Sequence, residues 1–132
     1  MNEEILNGLF TALHAAIDQA AVSVSETLLN PEAEIVVTYP PGGTLTAEEI
    51  SALKQMTLSP AARSALEKLI KDACASPIFE LLCLTDGVAD VITSNDEPWL
   101  GLSLEPRKSE DQQMLHDFFY ESYWLFHNRS EQ

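Results

Sequence analysis

The stretch "MLHDFFYESYW", residues 114–124, puts five aromatics, one histidine and two acids into eleven positions. Stepping about 100° per residue along a helix sorts them into three surfaces. His116, Tyr120 and Tyr123, with His127 a turn further on, stack along one flank. Asp117 and Glu121 stand four residues apart on the opposite side, with Trp124 beside them. Met114, Leu115, Phe118, Phe119, Ser122, Leu125 and Phe126 share a broad apolar face that reads as core.

Each surface implies its own chemistry. Like charges at i,i+4 cost a helix a few tenths of a kcal/mol unless something answers them. Asp117 and Glu121 therefore call for a cation or a basic partner; the plainer alternative is a solvated acidic face, or an Arg or Lys from elsewhere in the fold. An exposed Trp124 next to them would suit an interface anchor. On the other flank, His116 with Tyr120 or Asp117 has the residue types of an acid–base pair or a metal-dependent hydrolase, with Tyr123 adjoining. A zinc site needs three or four convergent ligands. The chain has only His14, His116 and His127, with no H-E-x-x-H and no C-x-x-C. His116 and His127, eleven residues apart, are separated by roughly 16 Å of helix and cannot share an ion. No metal and no cofactor is expected.

Elsewhere the chemistry is thinner. No G-x-S-x-G is present, and Cys83 lies in an apolar run, the setting of an inert rather than a reactive thiol. Cys83 and Cys74 read as free, inert core thiols. The "PPGG" at 40–43 lacks the G-K-[ST] ending of a phosphate loop. Asp86, Asp90, Asp96 and Glu97 crowd the segment "DGVADVITSNDEPW", but not at calcium-loop spacing. It reads as a solvated acidic loop, or as a second partner contact formed by Asp96, Glu97 and Trp99.

Charge narrows the partners. Seven Lys+Arg against 21 Asp+Glu give −14. Such a surface repels phosphate backbones and anionic lipid, which argues against nucleic acid and membranes, and it attracts basic proteins. The acidic start "MNEEILNGLF" is unlike a secretory signal. No apolar run reaches the length that spans a bilayer, roughly 18 to roughly 20 residues. These features predict a cytoplasmic protein.

A single α+β domain over 1–132 is expected, with four to five helices packed on a small, mostly antiparallel sheet and a frayed tail at 128–132. Apolar positions from Ile5 to Leu28 predict a long first helix, ending at Asn30-Pro31 or, given "VSVSET", nearer residue 21. "AEIVVTYP" reads as a strand. Thr46 and Glu49 form a capping box for a short helix. Ser59-Pro60 opens a third helix that closes near Ala75. Ser76-Pro77 repeats the signal, predicting a fourth helix over "IFELLCLTDG" with Gly87 as its cap, although a buried strand fits the same run. "PWLGLSLEP" reads as a strand, and Ser109 with Gln112 caps the last helix.

The C-terminal run "LTDGV", "WLGLSL", "MLHDFFYESYW" resembles the layout L-x-DGV, W-x-G-x-x-L, MLHD-x-F-[FY]-E-x-YW of a group of small, uncharacterised bacterial proteins, over about residues 59–126. The resemblance carries no catalytic residue across. In size, acidity and lack of an export signal the group is similar to cytosolic immunity proteins that neutralise toxins. It implies a non-enzymatic module that binds a basic protein. The alternatives are a small hydrolase working through His116 and a subunit that self-associates through its last helix.

Overall fold

The computed structural model describes residues 3–89, 98–103, 105 and 115–130, the side chains at 117, 118, 121, 126, 129 and 130 excepted. All regular structure among these residues is helical: α1 (Glu3–Leu29), α2 (Ala47–Gln55), α3 (Pro60–Thr85) and α4 (Leu115–Ser130). The expected α+β architecture is therefore overturned. The 33–40 segment and the described part, 98–103, of the 98–106 segment, both predicted strands, are extended or irregular, and neither has a ladder partner among the described residues. A strand exists only through pairing; β-branched composition and alternation supply the shape but not the partner.

α1 runs the whole way to Leu29 despite its β-branched and hydroxyl second half. The reason is tertiary. α3 lies antiparallel against it, and the two form the main helix pair of the molecule. The closest packing falls at Ala21 and Ser25, the two fully buried residues of the described chain. They are small and four apart, so they lie on one line of α1 and let α3 approach. Along that line the Ser25 hydroxyl donates to Glu67 Oε1 at 2.6 Å, with the Val22 carbonyl 3.1 Å away as a second acceptor. Arg63 Nε donates to the same Glu67 oxygen at 3.1 Å. Lys71 Nζ reaches Asp18 at 2.8 Å. That pair is exposed, so it contributes little energy but helps fix register. At 27 residues α1 is also long and apolar enough to cross a membrane by length and composition, contrary to the sequence reading. Core helices pass the same test, and α1 spends one line of its surface on α3.

The two helices predicted over 59–85 are a single one. α3 passes through Pro77. A proline ring inside a helix removes one hydrogen bond at a cost of about 3 kcal/mol. On either side of Pro77, Ala75, Ile78, Phe79 and Leu82 line a cleft of about 200 Å³ with Phe10, Leu13, His14 and Ile17 of α1. The same stretch of α3 faces α1 across this cleft, so the helix continues where the pair runs together. Cys74 and Cys83 are free, as expected, but only half-buried. α2 begins as predicted: Glu49 N–H donates to Thr46 Oγ1 at 3.1 Å, and Thr46 N–H donates to Glu49 Oε2 at 2.7 Å.

α3 ends in a Schellman motif. Val88 N–H donates to the Cys83 carbonyl at 3.0 Å and Gly87 N–H to that of Leu84 at 3.2 Å. Gly87 supplies the positive φ this turn needs, at 72°. The 98–103 segment then folds back onto this end. Trp99 Nε1 donates to the Leu84 carbonyl at 2.6 Å, and Leu102 N–H donates to the Thr85 carbonyl at 2.7 Å. With Asp86 N–H donating to the Leu82 carbonyl at 2.8 Å, the last four carbonyls of α3 are all satisfied. The clasp is tight because both chains are glycine where they meet. A Cβ on Gly87 would stand 2.8 Å from the Leu100 carbonyl oxygen, and one on Gly101 (φ +90°) would overlap the Thr85 carbonyl. Trp99, Gly101 and the Asp86-Gly87-Val88 turn thus have a common structural task.

Two outcomes follow from this packing. Gly101→Ala, with a positive φ and a backbone oxygen in its way, should lose about 1–3 kcal/mol, and Trp99→Phe, lacking the donor, about 1 kcal/mol. Thermal unfolding checks both, and an unchanged midpoint for Gly101→Ala would remove the clasp. Glu67 titrates below its ordinary 4.5, first because Ser25 and then Arg63 hydrogen-bond its charged form. A depressed carboxyl stabilises the fold above its unfolded value, and that stability is lost as pH falls through the folded one. Glu67→Gln should therefore flatten the acid limb of a stability–pH curve below pH 4.5 and lower the curve at neutral and alkaline pH without changing its slope there.

Candidate functional site: an aromatic patch joining residue 39 to the last helix

Tyr39 ends the extended segment that carries Ile35, Val36 and Val37. Those three line a shallow apolar cleft with Val24 and Leu28 of α1 and Leu53 of α2, which fixes the segment against the helices. Immediately after Tyr39 the chain turns, Gly43 N–H donating to the Pro40 carbonyl at 2.9 Å. Tyr39 is thus held at the tip of an anchored segment, 52% exposed.

α4 meets the rest of the molecule at this ring. Phe119 and Tyr123, four residues apart and so on one side of α4, both contact Tyr39. Phe119 stacks on it with centroids 6.0 Å apart, and Tyr123 meets it edge-to-face at 5.5 Å and 79°. Three further rings extend the cluster. Tyr120 stands edge-on to Phe119 at 5.6 Å, Trp124 edge-on to Tyr123 at 5.2 Å, and His127 lies parallel to Tyr123 at 5.9 Å. Trp124 also meets His127 edge-to-face at 6.4 Å. These distances and angles are those aromatic quadrupoles favour, each pair contributing about 0.5–1.5 kcal/mol beyond burial.

The cluster stays open to solvent. Phe119 is 59% exposed, Trp124 51% and Tyr120 42%. This corrects the sequence reading of α4's broad face as core: its described apolar members Leu115, Phe119 and Leu125 are all exposed, and Ser122 is only half-buried. Among the described residues α4 packs against no other helix, so its described apolar positions have no helical layer to bury them. Periodicity marks which residues can face a common surface, not whether one arrives.

The expected site residues fall unevenly. Trp124, Tyr120 and Tyr123 come together in the ring cluster. His116 is exposed on α4's first turn. Asp117 and Glu121 belong to α4, but their side chains lie outside the described residues, as do Asp96 and Glu97 altogether. Trp99 is drawn into the α3 clasp, 15 residues from the carbonyl it caps. His14 lines the α1–α3 cleft and Asp18 holds Lys71. Among the described residues no group of three or more His, Cys, Asp or Glu is placed to hold a metal ion. Tyr39 is the member that sequence reasoning missed. Its only signal was an aromatic set directly before a Pro-Pro-Gly-Gly turn, where side chains are presented rather than buried.

No protein-family model, curated protein or solved structure matches the chain. The functional reading rests on the molecule's own surface.

Tyr39→Ala would remove both ring contacts between α4 and the 33–40 segment, about 1–3 kcal/mol of docking. Amide hydrogen exchange should then speed up in α4 severalfold while α1 and α3 keep their protection. Unchanged α4 exchange would show that other contacts hold the helix.

Proposed function

We propose that this chain is a non-catalytic, cytosolic interaction module that captures a basic partner protein. An exposed aromatic patch on a chain of net charge −14 carries the reading. The acidic excess is uneven: the first Lys or Arg in the sequence is Lys54, so α1 and the segment bearing Tyr39 contain none. Of the basic residues that follow, Arg63 and Lys71 already serve Glu67 and Asp18. Seven Lys and Arg in all stand against 21 acids, so most of the negative charge exceeds what the chain's own cations can neutralise.

The division of labour follows from range. Surplus acids act over about 8–10 Å at ordinary salt and steer a basic partner into encounter. Exposed aromatics act at contact, and tryptophan and tyrosine are among the side chains most enriched at energetically dominant interface positions. An inhibitor of a basic toxin, the role implied by the immunity-protein likeness, is one protein of this kind.

The test begins with affinity capture from the source cell's lysate at low salt and elution at high salt, then kinetics with the protein recovered. Asp117→Lys combined with Glu121→Lys should slow association at least tenfold and reduce its salt dependence, with the thermal midpoint nearly unchanged. Trp124→Ala should instead speed dissociation. Wild-type kinetics in the charge-reversed variant would overturn the reading.

A further inference from the structure

We propose that the patch of Tyr39, Phe119, Tyr123 and Trp124 seats an arginine side chain of the basic partner, an inference that rests on the reading above and names its anchoring contact. The geometry is a pair of corners. Tyr39 meets Tyr123 at 79° and Trp124 meets Tyr123 at 77°, with centroids 5.5 and 5.2 Å apart. Rings set nearly perpendicular present two electron-rich faces to one position beside them, the arrangement that holds organic cations within about 6 Å of ring centroids. The exposures of Tyr39 and Trp124, 52% and 51%, leave ring surface available.

Charge selects the occupant. An apolar side chain would gain only burial at such a corner. A cation gains the ring quadrupoles together with the field of a molecule of net charge −14. Guanidinium is favoured over ammonium because it is planar, more weakly hydrated, and stacks on aromatic faces. His127, parallel to Tyr123 at 5.9 Å, extends the ring surface beside these corners.

The chain's two tryptophans permit a direct test. Trp124 is in the patch and Trp99 is in the α3 clasp, so 5-fluorotryptophan labelling gives a reporter and an internal control in one fluorine spectrum. The probes are a nine-residue peptide alternating arginine with glycine and the same peptide with citrulline. The arginine peptide should shift the Trp124 signal saturably and leave that of Trp99 in place. Calorimetry should show Trp124→Leu, which keeps apolar bulk, binding that peptide about 2- to 30-fold more weakly, the range that about 0.5–2 kcal/mol of cation–ring attraction gives. Circular dichroism confirms that the variant is folded, and Tyr39→Leu supplies a second, independent loss.

Salt-sensitive binding of the arginine peptide with an unmoved Trp124 signal and full affinity in both variants would overturn the seat while leaving acidic capture standing. Equal shifts from both peptides would make the patch an apolar seat and overturn the cation. No binding of the arginine peptide at low salt would overturn the seat and the capture reading together.

Discussion

Everything described in this molecule is arranged around the line where α1 meets α3 at Ala21 and Ser25. Two small side chains, fully buried and one turn apart, set how closely the helices approach. The Ser25–Glu67–Arg63 hydrogen bonds then satisfy the polar group that this closeness buries. A larger residue at either position would force the helices apart, and overpacking of this kind costs about 1–3 kcal/mol. A narrow contact line also explains why most large apolar residues on both helices remain half-buried or exposed.

From that line the two ends of the hairpin take different fates. Past Ser25, α1 runs on to the anchored segment that presents Tyr39. At the other end, the last turn of α3 is closed by its own Schellman turn and by the returning Trp99–Leu102 segment. The 84–88 turn and the 99–102 segment are the two halves of that clasp. Their glycines are required by backbone contact and not by chemistry. Trp99 is therefore accounted for by structure, which leaves Trp124 as the tryptophan available to a partner.

The electrostatics separate structural charges from surplus ones. Glu67 is held below its ordinary range by hydrogen bonds, and Asp18 lifts Lys71 above its own. These three groups and Arg63 belong to the hairpin. The remaining acids have few cations to meet, and the same molecule displays six rings held together by edge-to-face and stacked contacts. Surplus charge and exposed rings thus sit on different residues and respond to different perturbations, salt for the one and ring substitution for the other.

What the amino-acid sequence determined by itself is local. The capping box of Thr46 and Glu49, the Ser59-Pro60 opening of α3, the helical stripe of α1 and the Gly87 cap are readable because each is decided among residues close in the chain. Tertiary structure decided the rest. The 33–40 and 98–103 segments have strand-like composition, but their partners are helices, and pairing is a property of two segments. Ser76-Pro77 carries a helix-start signal that packing against α1 overrides. The rings of α4 have core-like periodicity, yet no layer covers their described members, and the residue that organises them, Tyr39, lies far back in the chain on the other side of α2 and α3. Contacts across such separations leave no trace in local spacing, because their energy depends on where folding brings the chain back.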